Sequence, residues 1–369
     1  MPAKEIKELR KSGKLLEAFN MAKAELDAQP DNIWAKKNIS WVYYDYLTQS
    51  TKNQNTDNFI HCLTEIRKLE LPAEDKMLTD KIAWKIGLYL FSILKTKDIQ
   101  HSKLFQVYEI SQTFDYSKPS EGYSVLFKAL HKFLKDGDKY IQFADWWNFD
   151  NFREEDYQND KMPDGKDMMS IVEQAYIAYG KHLLPKVNFG NETIFNKEKA
   201  VSFIEKLTVL DEKYSHYTYP QYYKAKLLLA TGDRDNMLVA FLPFAKKKQG
   251  DFWVWDVLAD AFITDVDKVF SCYCKGLLCK SPAEMVVGLR QKIAKILISK
   301  ELYNEAKTEL LLIEKVKIDK KQNIPAIILN WKSQEWYKNA VDEKSNSNFY
   351  KKHISNAESI LFYDIPDEN

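Results

Sequence analysis

Glycine and proline are scarce, 11 of each in 369 residues. A sheet-rich fold of this length needs a turn about every ten residues, so the shortage argues against an all-β architecture and for helices joined by short corners. Cysteine is rarer still: there are four, three of them crowded at Cys272, Cys274 and Cys279. They supply no framework of spaced pairs, and no apolar stretch of leader type follows Met1-Pro2-Ala3-Lys4-Glu5. Both points imply a reducing, cytoplasmic compartment. Long apolar runs are absent as well. Gly87–Leu94 and Ile324–Leu329 fall far short of the roughly 20 residues a spanning helix requires, so no membrane partner is expected. Neither sign of charge is in excess, with 54 basic and 53 acidic side chains. No global field therefore draws the chain to nucleic acid, and such binding would have to come from a local patch. The six histidines are scattered, without a His-Glu-x-x-His zinc motif, a glycine-rich phosphate loop or a Ser or Cys nucleophile signature. The expectation is a protein that is not an enzyme, with no catalytic residues, no metal site and no cofactor.

What the chain does have is apolar surface, 45% hydrophobic and 14% aromatic residues, ample for helix-on-helix packing. One small residue recurs at a nearly fixed stride: Ala225, Ala259 and Ala294 lie 34 and 35 residues apart, each followed three residues on by Leu228, Phe262 or Leu297. The middle copy reads Trp255-x2-Leu258-Ala259-x2-Phe262, and Ala306 follows Ala294 by 12. The N-terminus carries the same theme. Gly13-Lys14-Leu15-Leu16-Glu17-Ala18 offers a corner and a helix start, with Pro30 placed 12 residues after Ala18. The Gly supplies positive φ, the Ala permits close helix approach, and the Pro ends the helix because its ring clashes one turn back. Lys36-x2-Ile39-Ser40-x2-Tyr43 and Ala83-x2-Ile86-Gly87-x2-Leu90 extend the series. These segments resemble tetratricopeptide repeats, whose first helix reads W-x2-L-G-x2-Y, with Lys36 standing where that family has Trp. The resemblance implies an all-α fold, an α-solenoid of helix-turn-helix repeats with degenerate central units and one irregular insertion.

Three regions are expected: an N-terminal repeat array over 1–135, a degenerate helical region over 136–220 holding the acidic and aromatic insertion 145–167, and a C-terminal array with terminal helices over 221–369. Within them, Gln49–Asn55 is expected as a loop and 57–71 as a helix closed by Pro72, with further helical patterns over 103–134, 170–184 and 197–210. Met162-Pro163-Asp164-Gly165 marks a turn. A helix is expected over Pro325–Val341, a polar break at Asp342–Asn348 and a last helix to about Leu361, before Asp364-Ile365-Pro366-Asp367.

Three features could carry chemistry. Asp145, Asp150, Glu154, Glu155 and Asp156 offer oxygen ligands, and a metal-dependent hydrolase would need Asp145, Asp150 and Glu154 to converge on one ion; the bland alternative is a solvated loop. The rings among them, Trp146, Trp147, Phe149, Phe152 and Tyr157, either pin the insertion to the array or present an anchor to a partner, with Trp146 and Trp147 the candidates. Cys272 and Cys274 point about 200° apart on a helix and read as buried structural thiols. The basic runs Lys246–Lys248 and Lys315–Lys321 fall at expected helix C-termini, where cations complement the dipole.

Carrying the repeat family's inner-face positions onto this sequence selects Lys37, Trp41, Tyr222, Lys226, Asp256, Asp260, Gln291 and Lys295 as partner-binding candidates, mixed in charge. Together, the Gly13–Ala18 start, Trp146–Tyr157, Glu173-Gln174-Ala175-Tyr176 and Tyr303-Asn304-Glu305-Ala306 resemble a poorly characterised bacterial family, a tetratricopeptide array often followed by an OB or cold-shock-like domain. The resemblance implies a non-catalytic scaffold that binds a protein or peptide ligand through a concave groove. The alternative is an adaptor acting with nucleic acid in a conflict or defence system, through the basic runs or a further domain.

Overall fold

In a computed structural model the described residues are 2–71, 76–161, 165, 167–187 and 193–362. The chain divides into two compact units, 1–182 and 183–369. The fold is all-α: twenty helices stand against two pairs of two-residue strands among the described residues.

The first unit contains α1 (Ala3–Lys11), α2 (Leu15–Ala28), α3 (Ile33–Asn53), α4 (Thr56–Lys68), α5 (Lys76–Ile93), α6 (His101–Ser111), α7 (Glu121–Leu134) and α8 (Tyr140–Trp147). Two 3-10 turns follow, Phe149–Asn151 and Glu154–Tyr157, then the antiparallel pair β1 (Asp160–Lys161) and β2 (Asp167–Met168), and α9 (Ile171–Leu183). Helices α1 to α4 pack in succession, α5 packs chiefly on α7, and α3 lies against both α1 and α5. The corners have identifiable causes. Gly13 takes φ +79° between α1 and α2, the positive-φ corner that its place in the sequence predicts. Asn32, Asn55 and Ser120 accept hydrogen bonds from the first turns of α3, α4 and α7 at 2.9, 3.0 and 3.1 Å, each satisfying a donor the helix cannot. Ala18, Ile39, Ser40, Ala83 and Ile86 are buried, so the repeated small and apolar positions are core. At Gly87 and Gly122 α5 and α7 approach closely: a Cβ added at Gly122 would stand 2.2 Å from the Asp80 carbonyl oxygen, and one at Gly87 would stand 2.9 Å from that of Val125.

The expected loop at Gln49–Asn55 is instead helix through Asn53. Ser50 and Thr51 return their hydroxyls to the Tyr46 and Leu47 carbonyls at 2.8 Å, which satisfies these polar side chains inside the helix, and the chain turns only at Gln54, at φ 54°. Pro72, Met162-Pro163-Asp164 and Asp364–Asp367 lie outside the described residues.

The second unit opens with β3 (Lys186–Val187) and β4 (Thr193–Ile194), followed by α10 (Lys197–Lys213), α11 (Tyr219–Thr231), α12 (Arg234–Lys247), α13 (Phe252–Ala261), α14 (Val266–Leu278), α15 (Val287–Ser299) and α16 (Tyr303–Asp319). It closes with α17 (Ala326–Ser333), α18 (Glu335–Asn339), α19 (Ser347–Tyr350) and α20 (Ser355–Ile360). Helix α13 packs on α11 and α14, and α15 on α14 and α16. Ala225, Ala259, Ala294 and Ala306 are buried, as are Leu228, Phe262 and Leu297. Trp255 is wholly enclosed, its indole N–H donating to the Gln249 carbonyl at 2.8 Å.

The helix expected over Pro325–Val341 is broken at Gln334, whose backbone is extended. There Trp336 donates to the Gln334 side chain at 2.6 Å and stacks on Tyr303. Beyond it the chain is stitched to α14 and α16 by side chains. Val341 N donates to Asn304 at 2.8 Å, Glu343 N to Thr308 at 3.0 Å, and Ala357 N to Ser271 at 2.8 Å. The wholly buried Glu309 accepts from Arg290 at 2.5 Å and from Asn346 at 2.9 Å.

Candidate partner-binding faces

Of the eight positions selected as an inner face, four meet in the second unit. Lys226 on α11 is ion-paired with Asp260 on α13, 34 residues on. Asp256, one turn before Asp260, accepts from Lys292 of α15 at 2.6 Å, and Lys292 also stands 3.7 Å from Asp260. The result is a row of alternating charge across α11, α13 and α15. Rings floor it: Lys226 lies 5.9 Å over Tyr222 and Lys292 lies 5.7 Å over Tyr273. Trp253 packs edge-on against Tyr222 at 5.6 Å. Burial, with Asp256 adding to it, pushes the Tyr222 phenol up to about 12. For Lys292 burial works against the charge, but Asp256 and Asp260 together outweigh it and raise its pKa.

Lys292 is the member that the inner-face positions do not select. Gln291 is half-buried and Lys295 exposed, and neither joins the row. The second stride, 35 residues, is already included in Gln291 and Lys295; the face of α15 is reached one position further still, 36 residues after Asp256, by a long side chain that lies between both aspartates. The two acids on α13 were the available signal, since one lysine on α11 leaves one of them to be matched.

In the first unit Lys37 and Trp41 lie on α3, half-buried. Lys37 is 5.1 Å over the Trp34 ring, and the Arg10 guanidinium from α1 is 5.3 Å over Trp41. Arg10 is also ion-paired with Asp45 at 2.6 Å.

The central stretch is placed differently from a docking anchor. Trp147, for which the sequence leaves open pinning the insertion or anchoring a partner, is wholly buried. It stacks on Tyr123 at 4.8 Å and packs against Phe127 and Phe152, each at 4.6 Å, so its part is to hold the insertion to α7. Trp146 is half-buried at the edge of the same cluster. Phe149 and Phe152 are buried too. The carboxylates diverge. Asp145 accepts from the Tyr179 hydroxyl at 2.5 Å. Asp156 points inward to Ser124 at 2.5 Å and caps the 3-10 turn through the Arg153 N–H at 3.0 Å. Asp150, Glu154 and Glu155 are exposed. Among the described residues no group of three His, Cys, Asp or Glu side chains is placed to hold a metal ion.

Cys272 and Cys274 are buried on α14, and burial pushes the Cys272 thiol up to about 12. Lys246 and Lys247 end α12, and Lys315 and Lys317 lie near the end of α16. No described helix is long and apolar enough to cross a membrane.

No curated protein matches the chain. Residues 218–357 match a family described as a domain of unknown function (DUF7017), a span that begins at the N-cap of α11, ends within α20 and contains the whole Lys226–Asp260–Lys292–Asp256 row.

Proposed function

We propose that the chain is a non-catalytic helical-repeat scaffold, an α-solenoid of tetratricopeptide type acting in the cytoplasm, which binds a protein or peptide along the face formed by its first helices. One observation carries this reading. Side chains 34 and 36 residues apart, Lys226 with Asp260 and Asp256 with Lys292, meet across α11, α13 and α15. Outward positions in register over three helices make one continuous surface, as stacked repeats do. Polar groups set over aromatic rings on such a surface suit a ligand that is itself amphipathic. The test is capture of partners from native lysate by the full chain, with and without nuclease, against a variant carrying Lys226→Glu and Asp256→Lys. Partners that survive nuclease and are lost with the variant support the reading; partners lost with nuclease alone transfer it to nucleic acid.

A further inference from the structure

The face of α1, α3 and α5 has a different charge balance from that of α11, α13 and α15. On α3, residues 41, 44, 48 and 52 share the side opposite the buried Ile39, Tyr43 and Leu47. The flanking helices lay cations onto that side. Arg10 of α1 sits over Trp41, and Lys85 of α5 sits 5.3 Å over Tyr44. Asp45, the one acidic residue of α3, is engaged by Arg10 at 2.6 Å.

Lys85 is therefore unusual. The residue is only 8% exposed, and Tyr44 supplies its aromatic contact. Burial depresses its pKa, Asp45 opposes that, and Lys52 and Lys81 add to it as like charges. Lys81 lies one turn earlier on the same helix, and both Lys52 and Lys81 are exposed. Among the described residues no carboxylate is ion-paired with Lys52, Lys81 or Lys85. In the second unit, by contrast, each cation of the row already meets an aspartate.

We propose that the α1–α3–α5 face binds an acidic peptide segment, whose carboxylates pair with Lys85, Lys81 and Lys52 above the Trp41 and Tyr44 rings. The proposal rests on the scaffold reading and names its ligand class. An ammonium held by a buried stem is a fixed point charge that a carboxylate can match at little further ordering cost. A single-stranded nucleic acid offers charge too, but its bases need open ring faces. Trp41 and Tyr44 are half-buried and carry a cation each, so the face favours carboxylates.

The probe is a fluorescein-labelled twelve-residue peptide alternating Glu with Leu, Ser and Gly, measured by fluorescence anisotropy with the full chain. A Gln-for-Glu peptide and an oligouridylate of equal charge are the competitors. Lys81→Gln with Lys85→Gln is expected to weaken binding about tenfold, and Lys52→Gln with Lys81→Gln, both exposed, about threefold with the fold untouched. Lys206→Gln with Lys213→Gln, the same loss of charge at exposed positions of α10 in the other unit, is expected to leave affinity within about twofold. Equal losses from both units, no binding of the acidic peptide, or stronger competition by the oligouridylate than by unlabelled acidic peptide overturns the proposal. The lysate capture above separates the outcomes: partners retained without acidic-peptide binding refute this inference alone, whereas no nuclease-resistant partner refutes the scaffold reading.

Discussion

Acid should weaken the first unit through one residue, His131. The ring is 4% exposed, packs against Phe127 and Tyr140, and shares a 2.8 Å hydrogen bond with the Tyr140 hydroxyl. Burial lowers its pKa from 6.5 to about 4, with Lys135 adding to the effect and Asp136 opposing it. The folded pKa lies below the unfolded one, so between them the unfolded chain binds more protons than the native one. The contribution is fully present above about pH 6.5 and is lost as pH falls toward 4. At about 1.36 kcal/mol per unit, the full swing is about 3 kcal/mol, of which about 2 kcal/mol is already lost at pH 5. Urea unfolding at pH 7, 6 and 5, followed by circular dichroism, would measure this against His131→Phe, which keeps a ring but cannot titrate. The wild type should lose about 2 kcal/mol more than the variant between pH 7 and 5. Stability falling in parallel in the two proteins would refute the assignment, as would an imidazole resonance that titrates near 6.5.

Four other outcomes follow from the packing. Gly122→Ala should cost about 2–3 kcal/mol and Gly87→Ala about 1–2, measured by thermal unfolding, because the added carbon meets backbone in both cases. Trp147→Ala should cost about 3–5 kcal/mol, whereas Trp146→Ala, at the cluster edge, should cost far less; similar losses would contradict the burial of one and the partial exposure of the other. Arg290→Met leaves the carboxylate of Glu309 buried without its cation and should cost about 3–5 kcal/mol, with Glu309→Gln in the same chain recovering part of the loss. Native protein treated with a thiol-reactive disulfide reagent should react at Cys279 first, with Cys62, Cys272 and Cys274 modified only on unfolding; prompt modification of Cys272 would contradict its burial.

How far the sequence could be read depended on whether a residue's neighbours in space were also its neighbours in pattern. The alanines at 225, 259 and 294 were legible because close helix approach needs a small side chain at one phase of every repeat. Trp147 was not separated from Trp146, although Tyr140, Phe143, Ala144 and Trp147 fall at the i, i+3, i+4, i+7 spacing of a buried stripe. Beginning the insertion at 145 hides that stripe. Lys292 was missed because a lysine spans nearly two helical positions, so the residue that reaches a face need not be the one whose Cα lies on it. Lys85 was illegible for a related reason: it sits among apolar positions of α5, and only the Tyr44 ring from α3 shows where its ammonium emerges. The polar run at Gln49–Asn55 misled because hydroxyls that return to their own helix resemble loop residues in composition.

The stitched C-terminal segment has a kinetic consequence. Its contacts to α14 and α16 join residues 35 to 86 positions apart, whereas α13 finds α14 and α15 finds α16 across corners of a few residues. Local hairpins form early and distant closures late. The surface of α14 that receives Tyr350, Ala357 and Ile360 must therefore wait, uncovered, until the last part of the unit arrives. Refolding of the second unit should show a fast phase that builds the helices and a slower one that buries this strip. The interval between them is when the chain is most exposed to aggregation.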